Sequence, residues 1–235
     1  MAITRDGVTI QEGIPTDLHP EGLLGDSEPV HAGKHALDAV YTTVGTILKT
    51  ERDMGLAERP NPILQAEIAR LGMPHLEKTA ATVGTTIDSV ERTKQLAEAA
   101  ISSALKAKDA AIAAEVRTYL RSKEKGVVTE LLTAARNGDV ELVAAALSAP
   151  HYLSGLTAEQ ASELRNIAAL TFAPGHSAML DDCNRVLERL NRAQEYLVDW
   201  SRKAKSRWLD SSAATKALQE LTVAKARQPS GRTQI

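Results

Sequence analysis

The chain has 235 residues and a formal net charge of −2, with a hydrophobic fraction of 43% but only 3% aromatics and a single Phe. Aromatic side chains normally supply much of the area buried in a thick core, so a hydrophobic fraction carried by Ala, Leu, Val and Ile predicts thin helix-to-helix seams and an elongated all-α protein. The near balance of charges argues against a dedicated nucleic-acid binder, the lone Cys183 rules out an intramolecular disulfide, and no apolar run approaches the ~20 residues of a membrane span.

Residues 1–30 are polar and punctuated by Gly7, Gly13, Pro15, Pro20, Gly22, Gly25 and Pro29, and they set six carboxylates against Arg5. This composition predicts an extended acidic arm that a partner surface would order. No stretch in it has the basic-then-apolar order of a signal peptide, which with the single Cys makes a reducing cytoplasmic compartment the expectation.

The helical body is predicted over 31–226. A first helix spans about Ala32 to Met54, where Leu37, Val40, Tyr41, Val44, Ile47 and Leu48 recur on one face. Arg59-Pro60-Asn61-Pro62 restarts the chain, with Asn61 as N-cap and Pro62 at the first helical position, and opens a short helix that stops at Gly72. From Met73 to Lys125 an Ala-rich, charged segment reads as one long helix. Its apolar stripe includes Leu76, Val83, Ile87, Val90, Ala97, Ile101, Leu105, Ile112 and Val116, several of them eleven apart, which predicts a nearly straight rod. Thr82-Val83-Gly84-Thr85-Thr86 is its weak point, a place for a kink.

Short helices forming a cap are predicted over 127–173: Val127 to Arg136, Val140 to Ser148 after the turn Asn137-Gly138-Asp139, and a helix opened by the capping box Thr157–Gln160 and running to about Phe172. Ala134-Ala135-Arg136-Asn137-Gly138-Asp139-Val140-Glu141-Leu142-Val143 resembles the helix pair of an ankyrin repeat. It lacks the Thr-Pro-Leu-His opening and has no second copy, so it reads as a generic αα-hairpin. The helix pair, the loop Ala149-Pro150-His151-Tyr152-Leu153-Ser154-Gly155-Leu156 and the capped helix together, about Leu131 to Leu170, resemble small helical structural proteins of tailed phages and gene-transfer particles. That resemblance implies a non-enzymatic subunit of a large particle, incorporated into a virion.

A second long helix is predicted from His176 to Ala226, with Met179, Leu180, Cys183, Val186, Leu187, Leu190, Leu197, Trp200, Ala204 and Trp208 as its stripe, packed antiparallel against the first. The tail over 227–235 is predicted to be loose. Residues 201–235 carry eight basic side chains against Asp210 and Glu220, so the chain is acidic at its start and basic at its end.

Candidate chemistry is sparse. His31 and His35 are four apart, a spacing that lets two imidazoles reach one metal with Asp38 and Glu28 to assist, but no third His or Cys is placed to complete a site. Gly33-Lys34 lacks the first Gly and the following Ser or Thr of a phosphate loop. Cys183 has His176, Asp181 and Asp182 nearby, yet it sits on the apolar stripe among carboxylates, a setting for a buried thiol and not a nucleophile. No catalytic, metal-binding or cofactor-binding set is predicted. The stretch most suggestive of a contact is Trp200, Arg202, Lys203, Lys205, Arg207 and Trp208. Its four cations between two Trp residues suit a nucleic-acid backbone with stacked bases, or else two Trp in a buried seam with cations on the wet face. The expected role is a structural or assembly protein whose partners are other protein subunits, in a homo-oligomer or hetero-assembly; the alternative is a DNA- or RNA-binding helical module using 200–208.

Overall fold

The computed structural model describes the chain except residues 1, 6, 7, 12, 57–60, 124, 210–214 and 221–235, and for residues 2–5 and 8–11 it describes the backbone alone. The fold is all-α; the helices of the body are α1 Glu28–Asp53, α2 Pro62–Ala104, α3 Ala110–Ser122, α4 Val127–Arg136, α5 Val140–Leu147, α6 Ala158–Phe172 and α7 Pro174–Leu209. Ahead of them an antiparallel hairpin pairs β1 Ala2–Arg5 with β2 Val8–Gln11, Ile3 opposite Ile10. No helix among the described residues is long and apolar enough to cross a membrane.

The chain divides into two compact units, Met1–Val90 with Arg185–Ile235, and Glu91–Asn184. Helices α2 and α7 contribute residues to both.

The first unit is a three-helix bundle of α1, α2 up to Val90 and α7 from Arg185. Helix α1 runs antiparallel to α2: Thr43 and Thr79 share a hydroxyl hydrogen bond of 2.9 Å, and nearer the α1 end Ile47 lies against Gly72. Helix α7 runs antiparallel to α2 in turn, since Gln65 near the start of α2 donates to the Arg207 carbonyl near the end of α7 (3.4 Å). The α1 stripe read from the sequence is the one that packs: Leu37, Val40 and Val44 are fully buried and Tyr41 and Ile47 nearly so. On α7, Val186, Leu190, Ala193, Leu197, Trp200 and Ala204 are buried at alternating steps of four and three, the spacing of a bundle seam.

Helix α2 corrects two expectations. It begins at Pro62 and continues through Gly72 and Pro74, so the short helix and the long one are a single element, and Gly84 does not end it. Among its buried positions Ala69, Leu76, Val83, Val90 and Ala97 recur every seven residues, while Leu76 with Ile87 and Val90 with Ile101 keep the eleven-residue spacing. The other seam positions of that heptad are Gly72, Thr79, Thr86 and Thr93. Small and polar side chains there hide the period from a reading based on large apolar letters.

A further correction concerns the arm. Residues 13–27 do not project. They lie along the bundle through two 3-10 turns, Thr16–Leu18 and Pro20–Gly22, with Ile14, Leu18 and Leu23 buried. Arg189 donates to the Asp17 carbonyl (3.0 Å), the Tyr196 hydroxyl donates to the Gly13 carbonyl (2.9 Å), and the His19 ring meets the Tyr41 ring edge-on. Part of the acidic charge is met internally as well, by an Arg192–Asp17 ion pair at 3.4 Å.

The second unit comprises the end of α2, helices α3 to α6 and the start of α7. Its core gathers Ile101, Leu105, Leu120, Leu131, Val143 and Leu164 among small Ala side chains. The predicted rod to Lys125 is broken here: α2 ends at Ala104, and α3 restarts at Ala110. Asp109 makes the restart, its carboxylate accepting from the backbone N–H of Ala111 (2.7 Å) and Ile112 (3.1 Å), as an N-cap does. Leu105, just past the end of α2, is buried in the core. The turn before α5 has Gly138 at φ 83°, which an L side chain adopts only at a cost, and Asp139 then caps α5 through Leu142 N–H (3.1 Å). The capping box of α6 forms as read, Thr157 and Gln160 each accepting from the other's backbone N–H.

The second long helix starts at Pro174 and is described as far as Leu209, and residues 215–220 are helical as well; 210–214 and 221–226, like the tail over 227–235, lie outside the described residues.

Candidate functional site

The six residues singled out on α7 divide cleanly by face. Trp208 is 1% exposed and Trp200 8%, and their rings meet edge-on at 5.9 Å. Neither offers a face on which a base could stack. The Trp208 indole N–H donates to Glu51 of α1 (2.5 Å), and the same carboxylate takes Arg207 at 3.4 Å. Glu51 is thereby a clamp that fixes the end of α7 to the end of α1. Arg202 and Lys203 are exposed, but both reach Asp199, at 3.8 and 2.7 Å, and the Lys203 contact holds the Asp199 carboxyl below its ordinary range. Lys205 is exposed. This geometry matches buried aromatics with cations on the wet face, each of three cations already facing a carboxylate.

The remaining sequence candidates fall apart in space or turn inward. His31 and His35 are both exposed on α1, and among the described residues no group of three metal-ligating side chains forms. Lys34 sits within α1, its ammonium donating to the Gly25 carbonyl at 3.1 Å, so Gly33-Lys34 is helix and not a loop. Cys183 is fully buried. Burial pushes its thiol up, Asp182 pushes further and Lys94 opposes weakly, so the reactive thiolate is disfavoured.

A feature that sequence reading missed lies in the second unit. A cavity of about 510 Å³ opens where α2 ends and α3 begins. Its apolar side is formed by Ile101, Leu105, Ala107, Ala110, Ala113 and Leu147; its polar side is Ser102, Lys106, Arg117, Ser148 and Arg165. Among the described residues, three cations line it and no carboxylate does. One guanidinium is fixed in place: Arg117 Nη1 donates to the Ala145 carbonyl (3.0 Å) and to Ser148 Oγ (2.8 Å), finishing the C-terminus of α5. Because Lys106, Arg117 and Arg165 are separated by 11 and 48 residues, no local motif announces them; a sequence signal for the chain break beside them is Asp109, a residue type that caps helix starts.

Comparison with protein-family models finds no match, and comparisons with curated proteins and with solved structures likewise find none.

Proposed function

We propose that this chain is a non-catalytic structural protein that works by packing against other subunits, most directly further copies of itself, as in a large particle of the phage-virion kind. The observation that supports it most is an apolar pair left on the surface of the second unit. Ile112 and Tyr119 are seven residues apart on one face of α3 and are 60% and 53% exposed. Exposed apolar side chains aligned on one helix face mark contact surfaces more often than chance. A second copy is favoured as the partner by the opposite charges of the chain's two ends, which suit a head-to-tail contact.

The nucleic-acid reading draws less support, since Trp200 and Trp208 are buried and Asp199 and Glu51 already face three of the four cations. Sedimentation velocity of the full chain over a wide concentration range tests the proposal. Self-association that weakens with salt and is lost in the double variant I112K/Y119K supports it. A monomer at every concentration, or association indifferent to that double variant, overturns it.

A further inference from the structure

We propose that the cavity of the second unit is a binding site for a small organic oxyanion, a phosphate or carboxylate head carried on an apolar body. The proposal stands on this unit alone, independently of the assembly reading. Its volume of about 510 Å³ falls in the range of small-molecule sites, which are mostly apolar with a few convergent polar groups. The division of its lining fits that description: Leu105, Ala110 and Leu147 offer an apolar wall, while Lys106, Arg117 and Arg165 bring three positive charges from the α2–α3 link, α3 and α6.

Two features separate this from an ordinary basic surface. Cations on a solvated helix face are usually interleaved with carboxylates, as Lys203 and Arg202 are with Asp199. Here, among the described residues, the side chains of Lys106 and Arg165 have no ion-pair partner, and no carboxylate lines the cavity. Secondly, Arg117 is already oriented. Its Nη1 is occupied by Ala145 and Ser148, which holds the guanidinium plane and leaves Nε and Nη2 as donors, the paired geometry that recognises carboxylate or phosphate. An anion entering the hollow meets positive charge from three elements, and the apolar wall adds discrimination against a bare inorganic ion.

Phenyl phosphate, phenylacetate and neutral 2-phenylethanol are suitable probes, titrated into the isotopically labelled full chain with the backbone amides of Ala107, Ala110 and Ala113 followed by NMR. Saturable shifts at these amides with an anionic probe, and none with 2-phenylethanol, support the site; the tighter of the two anions identifies the head group. Exposed, unpaired Arg165 and Lys106 can be changed with little effect on folding, so R165Q and K106Q, each with its melting temperature checked, should weaken binding about tenfold or more, the worth of one charge-assisted contact. R136Q, which removes an exposed cation of α4 outside the cavity, should leave affinity unchanged. Absence of saturable shifts, equal binding of the neutral probe, unchanged affinity in R165Q and K106Q, or an equal loss in R136Q would each overturn the proposal.

Discussion

The clamp between Glu51, Trp208 and Arg207 yields a sharp energetic test. Trp208 is the largest fully buried side chain in the described structure, and its indole N–H has the Glu51 carboxylate as acceptor at 2.5 Å. The Glu51 side chain is itself only 12% exposed, whereas Arg207 is half exposed. Replacing Glu51 by Leu leaves a buried N–H without an acceptor, which costs about 1–3 kcal/mol. The loss of the Arg207 pair adds little, because its guanidinium stays hydrated. Glu51→Gln keeps an amide oxygen as acceptor and forfeits only the charge assistance, so it should cost roughly half as much as Glu51→Leu. In a Trp208→Phe background the N–H is gone, and Glu51→Leu should then cost under about 1 kcal/mol. Urea unfolding, read by far-UV circular dichroism in all four variants of the cycle and checked by Trp200 fluorescence in the two that lack Trp208, gives the coupling energy directly. Two-state treatment applies to the transition that Trp200 reports and not to the whole two-unit chain. A coupling within about 0.5 kcal/mol of zero would refute the clamp and reduce Trp208 to packing alone.

Three further expectations follow from the same geometry. Gly84 has nothing within 4 Å of where a Cβ would sit, so Gly84→Ala should raise stability by about 0.5–1 kcal/mol through helix propensity, while at Gly33 the same change places a Cβ 2.7 Å from Val186 and should lower it by about 1–3 kcal/mol; calorimetry of the two variants should show melting temperatures displaced in opposite directions. The Tyr196 hydroxyl, pushed up to about 12 by burial, stabilises the fold as a neutral phenol: that contribution is intact below the unfolded value of about 10 and is lost as pH rises from about 10 to 12, so chemical denaturation across this window should show a shallower alkaline decline for Tyr196→Phe than for the native chain. Asp109→Ala removes both cap hydrogen bonds of α3 and should cost about 1 kcal/mol, with the amides of Ala111 and Ile112 losing protection from hydrogen exchange.

What the sequence disclosed depended on side-chain size. The α1 and α7 seams are written in Leu, Val, Ile and Trp, and those positions are buried as expected. The seam of α2 is legible at Leu76, Val83, Ile87, Val90, Ala97 and Ile101, which are buried, and hidden at Gly72, Thr79, Thr86 and Thr93, residues that a period search scores as gaps or breakers. Their smallness is what the packing uses. At Gly72 a Cβ would already stand 3.4 Å from both Ile47 and Trp208, so two neighbouring helices close over the point where Gly72 reads as a stop. Tertiary contact there outweighs the local propensity of Gly and Pro. Thr79, 6% exposed, exchanges its hydrogen bond with Thr43 instead of with water, which lets a polar side chain occupy a seam without an unsatisfied group.

The opposite error was made at residues 105–109, where a strongly helical composition concealed a break. Nothing between Leu105 and Asp109 forbids helix, and a continuous rod through them would satisfy every local preference. The competing gain is non-local: with the chain turned, Leu105 and Leu120 enter one core with Leu131, Val143 and Leu164, and Asp109 supplies the capping bonds that make the turn affordable in hydrogen bonds. Burial of two Leu side chains is worth a few kcal/mol, more than the propensity difference of the few residues left out of the helix. The same turn sets Lys106 beside Arg117 and Arg165 around one cavity. A straight helix of the same sequence would have carried these residues to separate places, so the candidate site and the break in the rod have a single physical origin, and weakening the Asp109 cap should loosen the cavity together with α3.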